Sequence, residues 1–136
     1  TRPHRLVDAG ETVGLVGVAH PRTDEINPGA SGVEFHDPVP VVREHARQLR
    51  AAGADHVVVV SHGGHTDERI AAETDVDAVL GGHVHDIYTD SIDGTVVVRP
   101  GRGGRAVSRV TRSVRPTGTL DNDGVRTADE ALSGRG

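Results

Sequence analysis

The stretch that decides the fold runs from His56 to His85 and reads HVVVVSHGGHTDERIAAETDVDAVLGGHVH. It opens with Val57–Val60, a run of β-branched residues suited to a strand buried on both faces of a parallel sheet. A short helix is predicted from Asp67 to Ala72, and a second buried strand from Val76 to Leu80. Strand, helix and strand at this spacing form a crossover unit, which is right-handed in nearly all proteins. Each strand gives way to glycine and histidine. Ser61-His62-Gly63-Gly64 follows the first, and Gly81-Gly82-His83-Val84-His85 follows the second. Sites in parallel α/β sheets form at the carboxyl ends of strands. If the two strands are neighbours, three imidazoles converge on one edge of the sheet.

Outward from this unit the pattern remains α/β. Upstream, Asp37 is a natural helix N-cap and Pro38 suits the first helical position. Val39, Val42, Ala46 and Leu49 recur at three- and four-residue steps as one apolar stripe, and Gly53 is placed to end the helix. Residues 5–19 read as two short strands around the turn DAGE, with Gly14 and Gly17 marking close packing or a bulge. Pro21–Gly32 reads as a loop. Downstream, Thr95–Val98 and Ala106–Val114 read as further strands. From Pro116 the large apolar residues become few. The chain therefore divides into an α/β unit, residues 1–115, and a polar tail or linker, 116–136.

Composition narrows the function. There are 20 acidic against 15 basic residues, for a net charge of −5, and every base is arginine. No basic patch tracks a nucleic-acid backbone, so a nucleic-acid polymer is not the expected partner. No apolar run approaches the ~18 residues of a membrane span. Cysteine is absent, so thiolate sites and disulfides are excluded. A metal would be held by His, Asp, Glu or Asn.

His83-Val84-His85 allows two arrangements. One ion takes both imidazoles, or two ions take one each. His4, His20, His36, His45 and His56 read as incidental, in loops, on a helix face or at a strand start. His65 lies on the loop leaving the first histidine segment. Phe35 is expected in the core where the helix begins, and Tyr88 beside the histidine pair is a candidate to line a pocket.

The order of these segments over residues 5–114 resembles the 5′-nucleotidase branch of the calcineurin-like metallophosphoesterases. That family shows a "VGVIGL" strand, matched by VGLVGV, then "F.DP" before a helix, matched by FHDP. A "GAD" turn follows, then a strand ending in "SH" and one ending in "GGHxH". The later "G..G..LGR" element is loosely matched by GRGGRAVSRV. The resemblance implies part of a four-layer α/β/β/α fold, contributing mainly one sheet with flanking helices. It implies hydrolysis of phosphate esters, nucleotides in particular, by two divalent ions (manganese, zinc or iron). His62 and His83 would ligate one ion and His85 the other.

The family's "DxH", "GDxxD" and "GNHE" or "GNHD" segments do not occur here. The only asparagines are Asn27 and Asn122. No general acid or other catalytic residue is assigned, no residue is assigned to substrate binding, and the missing N-terminal half of the site is expected upstream. On its own the chain is expected to bind metal weakly, to turn over no phosphate ester, and to leave one apolar sheet face short of cover. Two other readings compete. One is a non-catalytic metal- or partner-binding remnant of the same fold, and the other is a simple metal-binding protein. Three site histidines in the family order favour the enzyme.

Overall fold

The computed structural model describes residues 2–30, 32–111, 113, 114, 120, 121 and 126–128, those beyond 111 by backbone alone. Its centre is a six-stranded sheet. Strands β1 (His4–Asp8) and β2 (Thr12–Val18) form an antiparallel hairpin at one edge. The loop beyond β2, expected to lack regular structure, holds one turn of helix, α1 (Thr23–Ile26), and a 3-10 turn at Pro28–Ala30. The Asn27 side chain accepts the Gly29 N–H at 3.0 Å and shapes that second turn.

Helix α2 (Pro38–Ala51) follows the predicted punctuation. Asp37 accepts the Val39 N–H at 3.2 Å, and Val39, Val42, Ala46 and Leu49 are all buried. Strand β3 (His56–Ser61), helix α3 (Thr66–Glu73) and strand β4 (Ala78–Leu80) form the crossover unit. Strand β5 (Ile87–Ile92), which the sequence reading passed over, makes a hairpin with β6 (Thr95–Pro100). Asp93 and Gly94 close it at φ of 48° and 87°. Two left-handed residues in succession are what a two-residue hairpin turn requires.

The sheet order is β1-β2-β3-β4-β6-β5, with β2, β3, β4 and β6 parallel. Successive parallel strands are added in one direction. With right-handed crossovers, each connection then lands on the same face. Helices α2 and α3 accordingly pack against each other and share one core with Val16, Val57, Val59, Val79 and Val97. Gly14 is the point of closest approach: a Cβ there would stand 2.9 Å from a Leu49 methyl, whereas Gly17 faces open space.

The expectation of strands covered on both faces needs correction. Val57 and Val59 are buried, but Val60 is 51% exposed and its register partner Leu80 39%. Both helices occupy one side of the sheet. On the other, Ala78, Val96 and Val98 form a smaller cluster with Val58 and Val110.

Beyond β6, the strand β7 (Val107–Arg109) pairs with β10 (Arg126–Ala128), and β8 (Ser113–Val114) pairs with β9 (Leu120–Asp121). Strands β9 and β10 fall within the segment read as a polar tail, 116–136. The rest of that segment lies outside the described residues.

Candidate functional site

The parallel register sets the site. Val18 stands opposite Ser61, and Val60 opposite Leu80, so β2, β3 and β4 finish at nearly one level. His62 follows β3 by one residue, and His83 follows β4 by three. Their rings meet edge to face, with centroids 5.1 Å apart. His85 is exposed two residues further on, and its charge still acts on His83. The structure thus brings His62 and His83 together and leaves His85 alongside. Among the described residues, no three His, Asp or Glu side chains converge on a single ion.

His20 was taken as incidental, and the structure corrects this. It follows β2 by two residues and lies flat on His83, with centroids 4.4 Å apart and planes 25° from parallel. The available signal was position. Three adjacent parallel strands each end in a histidine within three residues, and His20 is the first of them.

The His83 pKa is held below its ordinary value. Burial contributes most, followed by the nearby His20, His62 and His85. A neutral imidazole keeps a lone pair to offer a metal. The His83 backbone is left-handed, at φ 72°. For a residue with a Cβ this costs on the order of 1–3 kcal/mol and is tolerated where surrounding structure enforces it. Gly64 leaves room for that ring: its own φ is +65°, and a Cβ there would stand 3.1 Å from it.

Beneath the histidines lies a buried ionic network. Arg99 on β6 is 1% exposed. It donates to Asp86 at 3.0 Å and to Glu68 at 3.0 Å, and lies 3.9 Å from Asp67. Tyr88 stacks on its guanidinium at 4.2 Å, which is where that aromatic ring is used. Asp67, fully buried, accepts the Ser61 hydroxyl at 2.5 Å, and Ser61 in turn accepts the Gly63 N–H at 2.9 Å. One cation therefore ties the start of α3 to the residue after His85, and Ser61 ties the same acid to the loop of His62. Gly81 leaves the space this needs, since a Cβ there would collide with the Asp67 carboxylate and with the Arg99 side chain.

Burial raises the Asp67 pKa, and Ser61 and Arg99 only partly offset it. The Arg99 hydrogen bond lowers that of Asp86. For Arg99, burial opposes the charge, but the carboxylates of Glu68 and Asp86 outweigh it and its pKa is raised. The remaining histidines have structural partners. His4 and His45 meet through their Nδ1 atoms at 2.9 Å, and His56 reaches Glu11 at 2.7 Å. Phe35 is half-buried beside the start of α2.

No protein-family model matches the chain. Among curated proteins it is 32% identical over 99 residues to a snake venom 5′-nucleotidase of Crotalus adamanteus, a match covering 70% of this chain. The chain spans only 17% of that relative's length. Its fold matches a sulfate thiohydrolase, SoxB, of Thermus thermophilus with a TM-score of 0.77, 26% identity, and coverage of 92% of this chain and 24% of the other. A 5′-nucleotidase precursor from Thermus thermophilus gives a TM-score of 0.78 at 24% identity, over 92% of this chain and 29% of the other. The calcineurin-like phosphoesterase YfkN of Bacillus subtilis gives 0.72 at 19% identity, over 93% of this chain and 49% of the other. In sequence and in fold, the chain resembles the C-terminal part of the catalytic domain in the 5′-nucleotidase branch of the calcineurin-like metallophosphoesterases.

Proposed function

We propose that this chain is one part of a metal-dependent phosphoesterase that hydrolyses phosphate esters, nucleotides in particular, and that it supplies the imidazole edge of the active site. The observation that carries the reading is the contact of His62 with His83 at the ends of adjacent parallel strands, 5.1 Å between centroids. This is the edge where α/β sheets place their chemistry.

His62, His83 and His85 would hold the divalent ions. The donor set fits in part: neutral imidazoles suit zinc or iron, but two or three of them leave a dinuclear centre short of carboxylates. The family's aspartate and asparagine segments would complete it from sequence outside this chain. When bound, the ions would supply Lewis acidity toward the phosphoryl oxygens and a water activated near neutral pH.

The chain's own residues do three things. Burial and the neighbouring imidazoles favour the neutral form of His83, and His20 lies against one face of its ring. The left-handed turn at His83 brings its ring against that of His62, and the missing Cβ at Gly64 leaves room for it. The Ser61–Asp67–Arg99–Asp86 network fixes the two histidine loops to each other, so the ligands need little reorganisation on binding.

The test is hydrolysis of a nucleoside 5′-monophosphate by the full-length native polypeptide with Mn²⁺, compared with its His83→Ala variant. We expect a loss larger than the roughly 10–100-fold that follows removal of a supporting partner of a metal ligand. Unchanged activity in that variant would leave the non-catalytic remnant as the better reading of this chain.

A further inference from the structure

Away from the loops of His62 and His83, two further histidines meet side chain to side chain. His4 begins β1 and His45 lies on α2, 41 positions apart in the chain. Their Nδ1 atoms stand 2.9 Å apart, with ring centroids at 4.8 Å and planes inclined by 57°. Both residues are half-buried. As a hydrogen bond this contact holds one proton, since one Nδ1 donates and the other accepts. With each ring's proton on Nε2 instead, both Nδ1 lone pairs face the same point and can be shared by a cation.

A third donor atom faces the pair. Gln48 Oε1 lies 3.4 Å from His45 Nδ1. Glu44 accepts the Gln48 Nε2–H at 2.8 Å, so the amide turns its oxygen, not its nitrogen, toward the imidazole. Glu44 also accepts Arg47 at 2.7 Å, and these two donors hold its pKa low, with a smaller contribution from His45. An ionised acid beside the pair favours a cation there.

The geometry narrows the class of ion. With metal–nitrogen bonds of about 2.0–2.1 Å, two nitrogens 2.9 Å apart subtend an angle of about 90° at the metal. A tetrahedral ion would hold them about 3.3–3.4 Å apart. Right angles between nitrogen and oxygen donors are the preference of Cu²⁺ and Ni²⁺. We propose that His4 and His45, with Gln48 as a weaker third donor, form a surface site for a Cu²⁺ or Ni²⁺ ion that clamps β1 onto α2. Strand β1 is at the sheet edge and most of its side chains are exposed, so an ion shared with α2 adds a cross-link where packing is thin. The site shares no residue with the candidate metal edge and does not rest on the phosphoesterase reading.

The test is equilibrium dialysis of the full-length native polypeptide, loaded with Mn²⁺, against micromolar Ni²⁺. It compares wild type with His4→Gln, His45→Gln and the double variant. Ni²⁺ taken up elsewhere is common to all four proteins and cancels in the difference. Each single variant should bind one Ni²⁺ fewer per chain than wild type. The double variant should bind no fewer than either single, because one shared ion is lost only once. Affinity at this site should fall in each single variant by more than the roughly 10–100-fold that follows removal of a supporting partner of a metal ligand, and by less in Gln48→Ala. Ni²⁺ should also raise the thermal midpoint of wild type by more than that of either single variant. Circular dichroism checks folding, and either single variant alone suffices for the comparison. Equal Ni²⁺ content in wild type and the single variants, or uptake at this site only at millimolar Ni²⁺, overturns the proposal and leaves His4 and His45 as a hydrogen-bonded pair.

Discussion

Replacing Arg99 by methionine tests the idea that one buried cation organises the histidine loops. Methionine keeps much of the stem and removes the charge. It leaves Asp67, which is fully buried, without its 3.9 Å cation, and Glu68 and Asp86 without their 3.0 Å donors. Breaking a buried ionic group by removing one partner costs about 3–5 kcal/mol. With a urea slope of about 1–3 kcal/mol per molar, the midpoint should fall by about 2 M at pH 8.

The sign with pH follows from Asp67. Its folded pKa is already raised by burial, and loss of the cation raises it further. Between the unfolded and folded pKa values the native state then binds more protons than the unfolded state. Stability therefore falls as pH rises through that window, by up to about 1.4 kcal/mol per pH unit. Asp86 adds a part that does not vary in this range: its pKa is held low by Arg99, so the stabilisation the variant loses is constant above the ordinary carboxylate range and fades only below it. The deficit relative to wild type should be largest at pH 8 and shrink as pH falls through the raised pKa of Asp67 toward the ordinary carboxylate range. Asp67→Asn in the same background should recover part of it, because the orphaned charge is gone; a double-mutant cycle measures the coupling. A midpoint within 0.5 M of wild type, by the same urea slope, or a deficit independent of pH, would refute the account.

Further outcomes follow from the packing. Gly14→Ala should destabilise by about 1–3 kcal/mol through overpacking against Leu49, while Gly17→Ala, facing open space, should stay within about 0.5 kcal/mol of wild type in the same urea titration. Gly81→Ala should cost at least as much as Gly14→Ala, since the Cβ meets a buried carboxylate rather than a mobile methyl; differential scanning calorimetry reads the difference. Asp37→Ala removes the cap of α2 and should cost about 1 kcal/mol, visible as a lower thermal midpoint by circular dichroism. Val60→Asp with Leu80→Asp places charge on the bare sheet face. Sedimentation velocity should show less self-association of the isolated chain than wild type, with little loss of stability.

Much of this architecture is legible in the sequence, for reasons that differ by element. Helix α2 carries its own start and a single apolar stripe, so local chemistry and burial agree. Strand β3 is announced by its valine run and β4 by the short apolar segment VDAVL, and their histidines by the glycines that let the backbone turn. Strand β5 was missed although Asp93-Gly94 is a strong hairpin signal, because Ile87–Ile92 alternates apolar ends with polar residues and sits at an exposed edge. The Val57–Val60 run misled on burial. A continuous β-branched strand suits a sheet covered twice, but which side receives helices depends on the direction in which strands are added. His20 carries no local mark. Its significance comes from β2 standing next to β3 in register, a long-range fact. Arg99 pairs with residues 13, 31 and 32 positions away, and only its place at the end of a valine strand hints that it is buried.

The crossover unit from His56 to His85 has a kinetic consequence. The strands that present His62 and His83 are neighbours in the sheet and are separated by a single short helix. The contact between the imidazoles closes a chain segment of low contact order, and such segments form early in folding.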